Sequence, residues 1–150
     1  MQWFNSSSRF GLVSLSLHWL SAVLVVGLFA LGLWMDGLDY YSEWYQVAPD
    51  THRTLGLVLA ALTILRLINS IMSAKPQPLG TVPWQRKAAA AVKYLMLLLI
   101  GVLVVSGYLI STAQGGDLRL LWGASVPSVL NQGVDGLEDK AGLVHWIVAY

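Results

Sequence analysis

Residues 17–35 read LHWLSAVLVVGLFALGLWM, and this apolar run decides the fold. At 1.5 Å per residue, a helix of about 19–20 residues crosses roughly 30 Å of hydrocarbon. Two further runs have that length: Thr54–Met72, interrupted by Arg66 and Asn69, and Tyr94–Ala113. A fourth opens at Ala141 and reads AGLVHWIVAY to Tyr150. A helix of this size covers only about 15 Å, so it reads as the first half of a fourth span, in a truncated sequence. With the mixed stretch from Leu12 included, the predicted spans are about 12–35, 54–72, 93–113 and 141–150. The first run is too long for a signal-peptide core, and Gly32–Asp36 lacks a small-x-small cleavage pattern. It is expected to stay in the mature chain.

Composition agrees with this reading. The 150 residues are 56% hydrophobic and 11% charged, whereas soluble domains are about 45–50% apolar and about 25% charged. The charge deficit excludes an ordinary soluble domain, a disordered chain and a nucleic-acid binder with a basic face. Net charge is +1, so no bulk field selects a partner. Cysteine is absent, which removes disulfides, thiolate metal sites, cysteine-ligated iron–sulfur clusters and covalent haem attachment. The expected fold is all-α: an integral-membrane, up-down-up-down four-helix bundle forming a single domain over 1–150.

The charges set the threading. All eight acids (Asp36, Asp39, Glu43, Asp50, Asp117, Asp135, Glu138 and Asp139) lie in the connections after spans one and three. Arg9, Lys75, Arg86, Lys87 and Lys93 lie on the acid-free side, against Arg53, Arg119 and Lys140 on the acidic side. By the positive-inside rule the N-terminus is placed in the cytoplasm, and the acidic loops outside. Trp3, Trp19, Trp34, Trp84, Trp122 and Trp146 flank the spans as interfacial anchors. Loop 73–92 is expected to start as an irregular connection and to enter span three through WQRKAAAA. The Gly-rich loop 114–140 is long for a helix–helix connection and is expected to cap the outer face.

The chain has three histidines. His18 lies near the cytoplasmic end of span one, and His52 and His145 lie at one outer level on spans two and four. Intramembrane histidines are costly and point to function by default, the bland reading being helix ends that face headgroups. Two at one depth on different helices suit axial ligation of haem, which takes one side chain from each face of a flat ring. Zinc fits less well, since no carboxylate or second histidine lies one turn away. The i±4 neighbours of the histidines are small: Ser14 and Ala22, Ala141 and Ala149, and Gly56. A macrocycle lying against a helix needs such missing bulk, and so does ordinary close packing in membranes. Arg66 is about 21 Å deeper than His52 on its helix, near the level of His18. A guanidinium there needs an anion, such as a haem propionate, or it snorkels to headgroups.

The runs LHWLSAVLVVGLFALGLWM (17–35), HRTLGLVLAALTILRL (52–67) and SGYLIS (106–111) resemble the bacterial cytochrome b561 family of di-haem membrane proteins. The likeness spans essentially the whole chain. It rests on the ordered set His18-Trp19, His52, Gly56, Arg66 and His145. It is nearest the branch associated with a periplasmic isoprenoid-binding, lipocalin-like protein. The resemblance implies two haems b and electron exchange with ubiquinone or another quinone, in the inner membrane. It makes His52 and His145 the iron ligands of the outer haem, and His18 one ligand of the inner haem. The partner of His18 is expected fourteen residues after His145, past the end of the sequence, with Lys93 a poor substitute. The sequence departs from the family at Lys93, where a histidine is usual, and at Asn69, where a second arginine is frequent.

The function this implies is a di-haem b conduit exchanging electrons with the quinone pool. In characterised relatives superoxide can be oxidised to oxygen at the other end. The acidic outer loops should repel that anion, although Arg53 and Lys140 flank the outer histidines. One alternative is a haem-b anchor subunit relaying electrons from a partner dehydrogenase or hydrogenase. A second is a haem-free scaffold or transporter, which the uninterrupted midplanes of spans one and three disfavour. Trp84, Arg86 and Lys93 are the guesses for a quinone site.

Overall fold

The computed structural model describes residues 2–77 and 82–150. Its elements run α1 (Leu12–Asp36), α2 (Val47–Met72), α3 (Pro83–Thr112), a short hairpin and α4 (Leu137–Ala149). The hairpin pairs β1 (Leu118–Arg119) with β2 (Ser125–Val126), antiparallel, around a 3-10 turn at Leu121–Gly123. The protein is an all-α membrane bundle, and α1, α2 and α3 are long and apolar enough to cross a bilayer. Residues 78–81, inside the expected connection 73–92, lie outside the described residues.

Helices start earlier than the apolar runs. α2 begins at Val47, α3 at Pro83 and α4 at Leu137. Hydropathy marks the stretch that crosses hydrocarbon, whereas helical hydrogen bonding continues into the interface. The added first turns suit helix starts. Pro49 and Pro83 stand where a missing N–H has no intrahelical partner to lose. Asp50, Glu138 and Asp139 complement the positive end of the helix dipole.

Packing is closest between α1 and α2 and between α3 and α4, with α2 and α3 joining the two pairs. Phe29 of α1 meets Tyr150 beyond α4, ring centroids 5.8 Å apart, so α2 and α4 face each other across the middle. The buried side chains are mainly small: Ser21, Ala48, Ser106, Thr112, Ala113 and Ala141, with Leu28, Leu59 and Leu118. Small residues let helix backbones approach where lipid removes the hydrophobic drive to associate. The long list of exposed Leu, Ile, Val and Trp side chains on the outside is the lipid-facing surface of such a bundle.

The two acid-rich connections meet at one end. Leu121 N–H donates to Thr54 Oγ1 on α2 at 3.0 Å. Tyr108 Oη donates to Pro127 O at 2.8 Å and accepts from Val129 N–H at 2.9 Å. The loop is thereby tied across α2 and α3 as a cap, with Leu118 buried beneath it. At the opposite end, Asn69 Nδ2 donates to Ser14 Oγ, and Ser14 Oγ donates to Asn5 Oδ1, both at 2.7 Å. Gly11 completes that corner: a Cβ there would overlap the Phe4 carbonyl.

Candidate functional site

Beneath the cap, at the acidic end, lies a cavity of about 450 Å³, within the roughly 300–1,000 Å³ common for cofactor and ligand pockets. All four helices line it, with Leu118 from the hairpin and Tyr150 from the chain end. His52 and Gly56 come from α2, His145 and Ala149 from α4, Gly32 from α1, and Gly107 from α3.

The two histidines face each other across this space. Their ring centroids are 6.2 Å apart and the rings are inclined at 67°. Two imidazoles bound to opposite sides of one metal, at about 2 Å per bond and about 1.1 Å from nitrogen to ring centre, have centroids about 6 Å apart. The spacing is that of an axial pair and too long for a hydrogen bond between the rings. Among the described residues no three His, Asp or Glu side chains gather to hold a bare metal ion.

The ring surroundings differ. His145 Nδ1 lies 3.0 Å from Ser106 Oγ on α3. His52 Nδ1 is buried without a hydrogen-bond partner among the described residues, an arrangement that costs about 1–3 kcal/mol unless something other than the protein satisfies it. Close approach of backbone to the His145 ring depends on glycine, while the His52 ring would make only an ordinary contact with a side chain at Gly32. A Cβ at Gly107 would stand 3.2 Å from His145 Cε1, and one at Gly32 would stand 3.6 Å from His52 Cε1. A Cβ at Gly56 would meet nothing within 4 Å, so its missing bulk opens the cavity itself. At the rim Arg53 is paired with Asp50 at 2.7 Å.

His18 stands apart from this pair. It is exposed on α1, packs edge-on against Trp19 at 5.6 Å, and meets Arg66 Nη2 at 3.3 Å through Nδ1. Guanidinium only donates, so His18 Nδ1 accepts and Nε2 carries the proton. Arg66 makes no ion pair among the described residues. Lys93 lies over the Tyr94 ring, 5.5 Å from its centroid. Of the five small neighbours singled out in the sequence, Gly56 and Ala149 line the cavity and Ala141 is buried. Ser14 serves the Asn5–Asn69 network, and Ala22 is half-buried. Sequence reasoning gave no role to Ser106, Gly107 or Gly32. The signal for the first two was a Ser-Gly pair inside an apolar span.

Residues 9–150 match the family model of prokaryotic cytochrome b561. The chain belongs to the prokaryotic cytochrome b561 family. Cytochrome b561 homolog 2 of Escherichia coli strain K12 is 38% identical over 151 residues, a match that covers 100% of this chain and 80% of that relative. The chain is thus a multi-pass membrane electron-transfer protein of a family that implies haem b. The residues present fit that group at the acidic end: facing imidazoles at axial spacing, an apolar cavity between them, and glycine where a flat ring or an imidazole needs room.

Proposed function

We propose that this membrane cytochrome b561 carries electrons through two haems b, and that His52 and His145 are the axial pair of the one at the acidic end. The reading is carried by a single observation: two histidines from diagonally placed helices, centroids 6.2 Å apart, facing into one cavity. When bound, haem b supplies a one-electron iron couple. Gly56 and Gly107 leave room for the ring, and the apolar lining excludes water from it. His18 is one ligand of the second haem. Arg66, which meets His18 Nδ1 at 3.3 Å, would supply the positive charge for a propionate of that haem.

Electrons are exchanged with ubiquinone or a related quinone, and superoxide is the candidate substrate at the acidic face. The acid-free end faces the cytoplasm and the acidic end the periplasm of a bacterial inner membrane. There an isoprenoid-binding, lipocalin-like protein is the candidate partner, on the strength of the branch that the sequence resembles. The protein purified from haem-replete cells should give the reduced-minus-oxidised spectrum of low-spin bis-histidine haem b. His52→Ala or His145→Ala should abolish the acidic-end haem and spare the other. Unchanged haem content in either variant ends this assignment. The purified protein alone should reduce or oxidise a quinone analogue; an inert preparation would favour a membrane anchor serving a separate dehydrogenase or hydrogenase.

A further inference from the structure

Ser106 sits about two turns before the end of α3, on an otherwise apolar face, and is only 4% exposed. Its hydroxyl donates back to Val102 O at 2.7 Å, with Leu103 O at 3.2 Å. This is the usual outlet for a serine proton inside a helix. With that proton committed, the oxygen has only lone pairs to offer His145 Nδ1 at 3.0 Å. The contact therefore requires a proton on Nδ1. Nε2 is left as the lone-pair nitrogen of a side chain that lines the cavity. The next residue, Gly107, admits the ring edge, since a Cβ there would stand 3.2 Å from Cε1 and 3.5 Å from Nδ1. Ser106 and Gly107 thus hold one imidazole in one tautomer and one orientation. His52 has no such partner on its Nδ1 among the described residues.

We propose that Ser106 is a positioning residue that keeps His145 in the Nδ1–H form with Nε2 presented to the cavity, so that the two facing histidines are inequivalent ligands. The inference rests on the assignment of the acidic-end haem to His52 and His145. An acceptor on the far nitrogen orients a ligating imidazole and raises its basicity. A more basic ligand favours ferric over ferrous iron, so Ser106 lowers the potential of the acidic-end haem.

The test is a redox titration of the full-length, haem-loaded protein in detergent, with haem content measured in parallel. Ser106→Ala should raise the midpoint potential of the acidic-end haem and leave the other unmoved. The expected change is roughly threefold to tenfold in ferric-to-ferrous preference, tenfold being about 59 mV for one electron. Loss of the partner should also weaken haem retention at that end by about 10–100-fold. Ser106→Thr, which keeps the hydroxyl, should restore both. If Ser106→Ala loses the haem outright, retention in Ser106→Thr supports the proposal and its loss there overturns it. An unchanged potential and haem content in Ser106→Ala would overturn it. Equal shifts in the Ala and Thr variants would also overturn it, by assigning the effect to packing. A wild-type protein without haem would instead defeat the underlying ligand assignment.

Discussion

The two ends of the bundle hold histidines in opposite states of readiness. At the acidic end, His145 is bonded through Nδ1 to an acceptor, and its other nitrogen is free beside a lined cavity under a tied-down cap. At the opposite end, His18 is exposed and its Nδ1 accepts from Arg66, which leaves the proton on the nitrogen that a metal would need. All four helices line that cavity. In both places a neighbouring helix supplies the partner, Ser106 of α3 for His145 and Arg66 of α2 for His18, and the chemistry of that partner decides which ring nitrogen is engaged.

This contrast can be broken most directly at Gly107. Gly107→Leu places a side chain against the His145 ring and into the cavity, and acidic-end haem content should fall at least about tenfold if that site is as closely fitted as its distances indicate. Gly27→Leu, at an α1 position where a Cβ would meet nothing within 4 Å, is the matched control and should leave the haem spectrum unchanged. The opposite end is tested by Arg66→Ala. Redox titration should show a shift confined to the second haem, with retention there reduced about tenfold, the loss of one charge-assisted contact at about 1.5 kcal/mol. An equal shift at the acidic end would dissolve the distinction between the two ends.

The cap comes next. Tyr108→Phe removes two hydrogen bonds to the loop, and should lower stability by about 1–2 kcal/mol. Faster amide exchange should appear around Val129 and be absent around Asn69. Thr54→Val is expected to have the smallest effect, about 0.5–1 kcal/mol, because it removes the one acceptor for Leu121 N–H together with a hydroxyl that otherwise bonds only back to Asp50 O of its own helix. Its exchange signature should again be restricted to the cap.

Much of this was legible in the residues. Apolar runs of membrane-crossing length such as Leu17–Met35 specify helices, because no other open backbone arrangement satisfies itself in lipid. The confinement of acids to alternate connections specifies antiparallel threading. Histidines 52 and 145 could be placed at one depth because helical rise converts sequence position directly into height. Ser106 and Gly107 were not legible as a device for His145, although their sequence was in plain view. Which side of α3 turns toward α4 depends on interhelical packing, and a nearly all-apolar span carries little amphipathic signal to set its rotation. The pairing of Arg66 with His18 was hidden for the same reason: equal depth was predictable, contact was not.

Sequence alone determined the spans, the alternation of their direction and the heights of the histidines, all of which are one-dimensional quantities read along a helix axis. Tertiary structure alone decided which rings meet, which nitrogen of His145 is bonded, and that the two ends differ. Those depend on helix rotation and lateral neighbours, which small residues permit through close approach but do not encode in any local pattern.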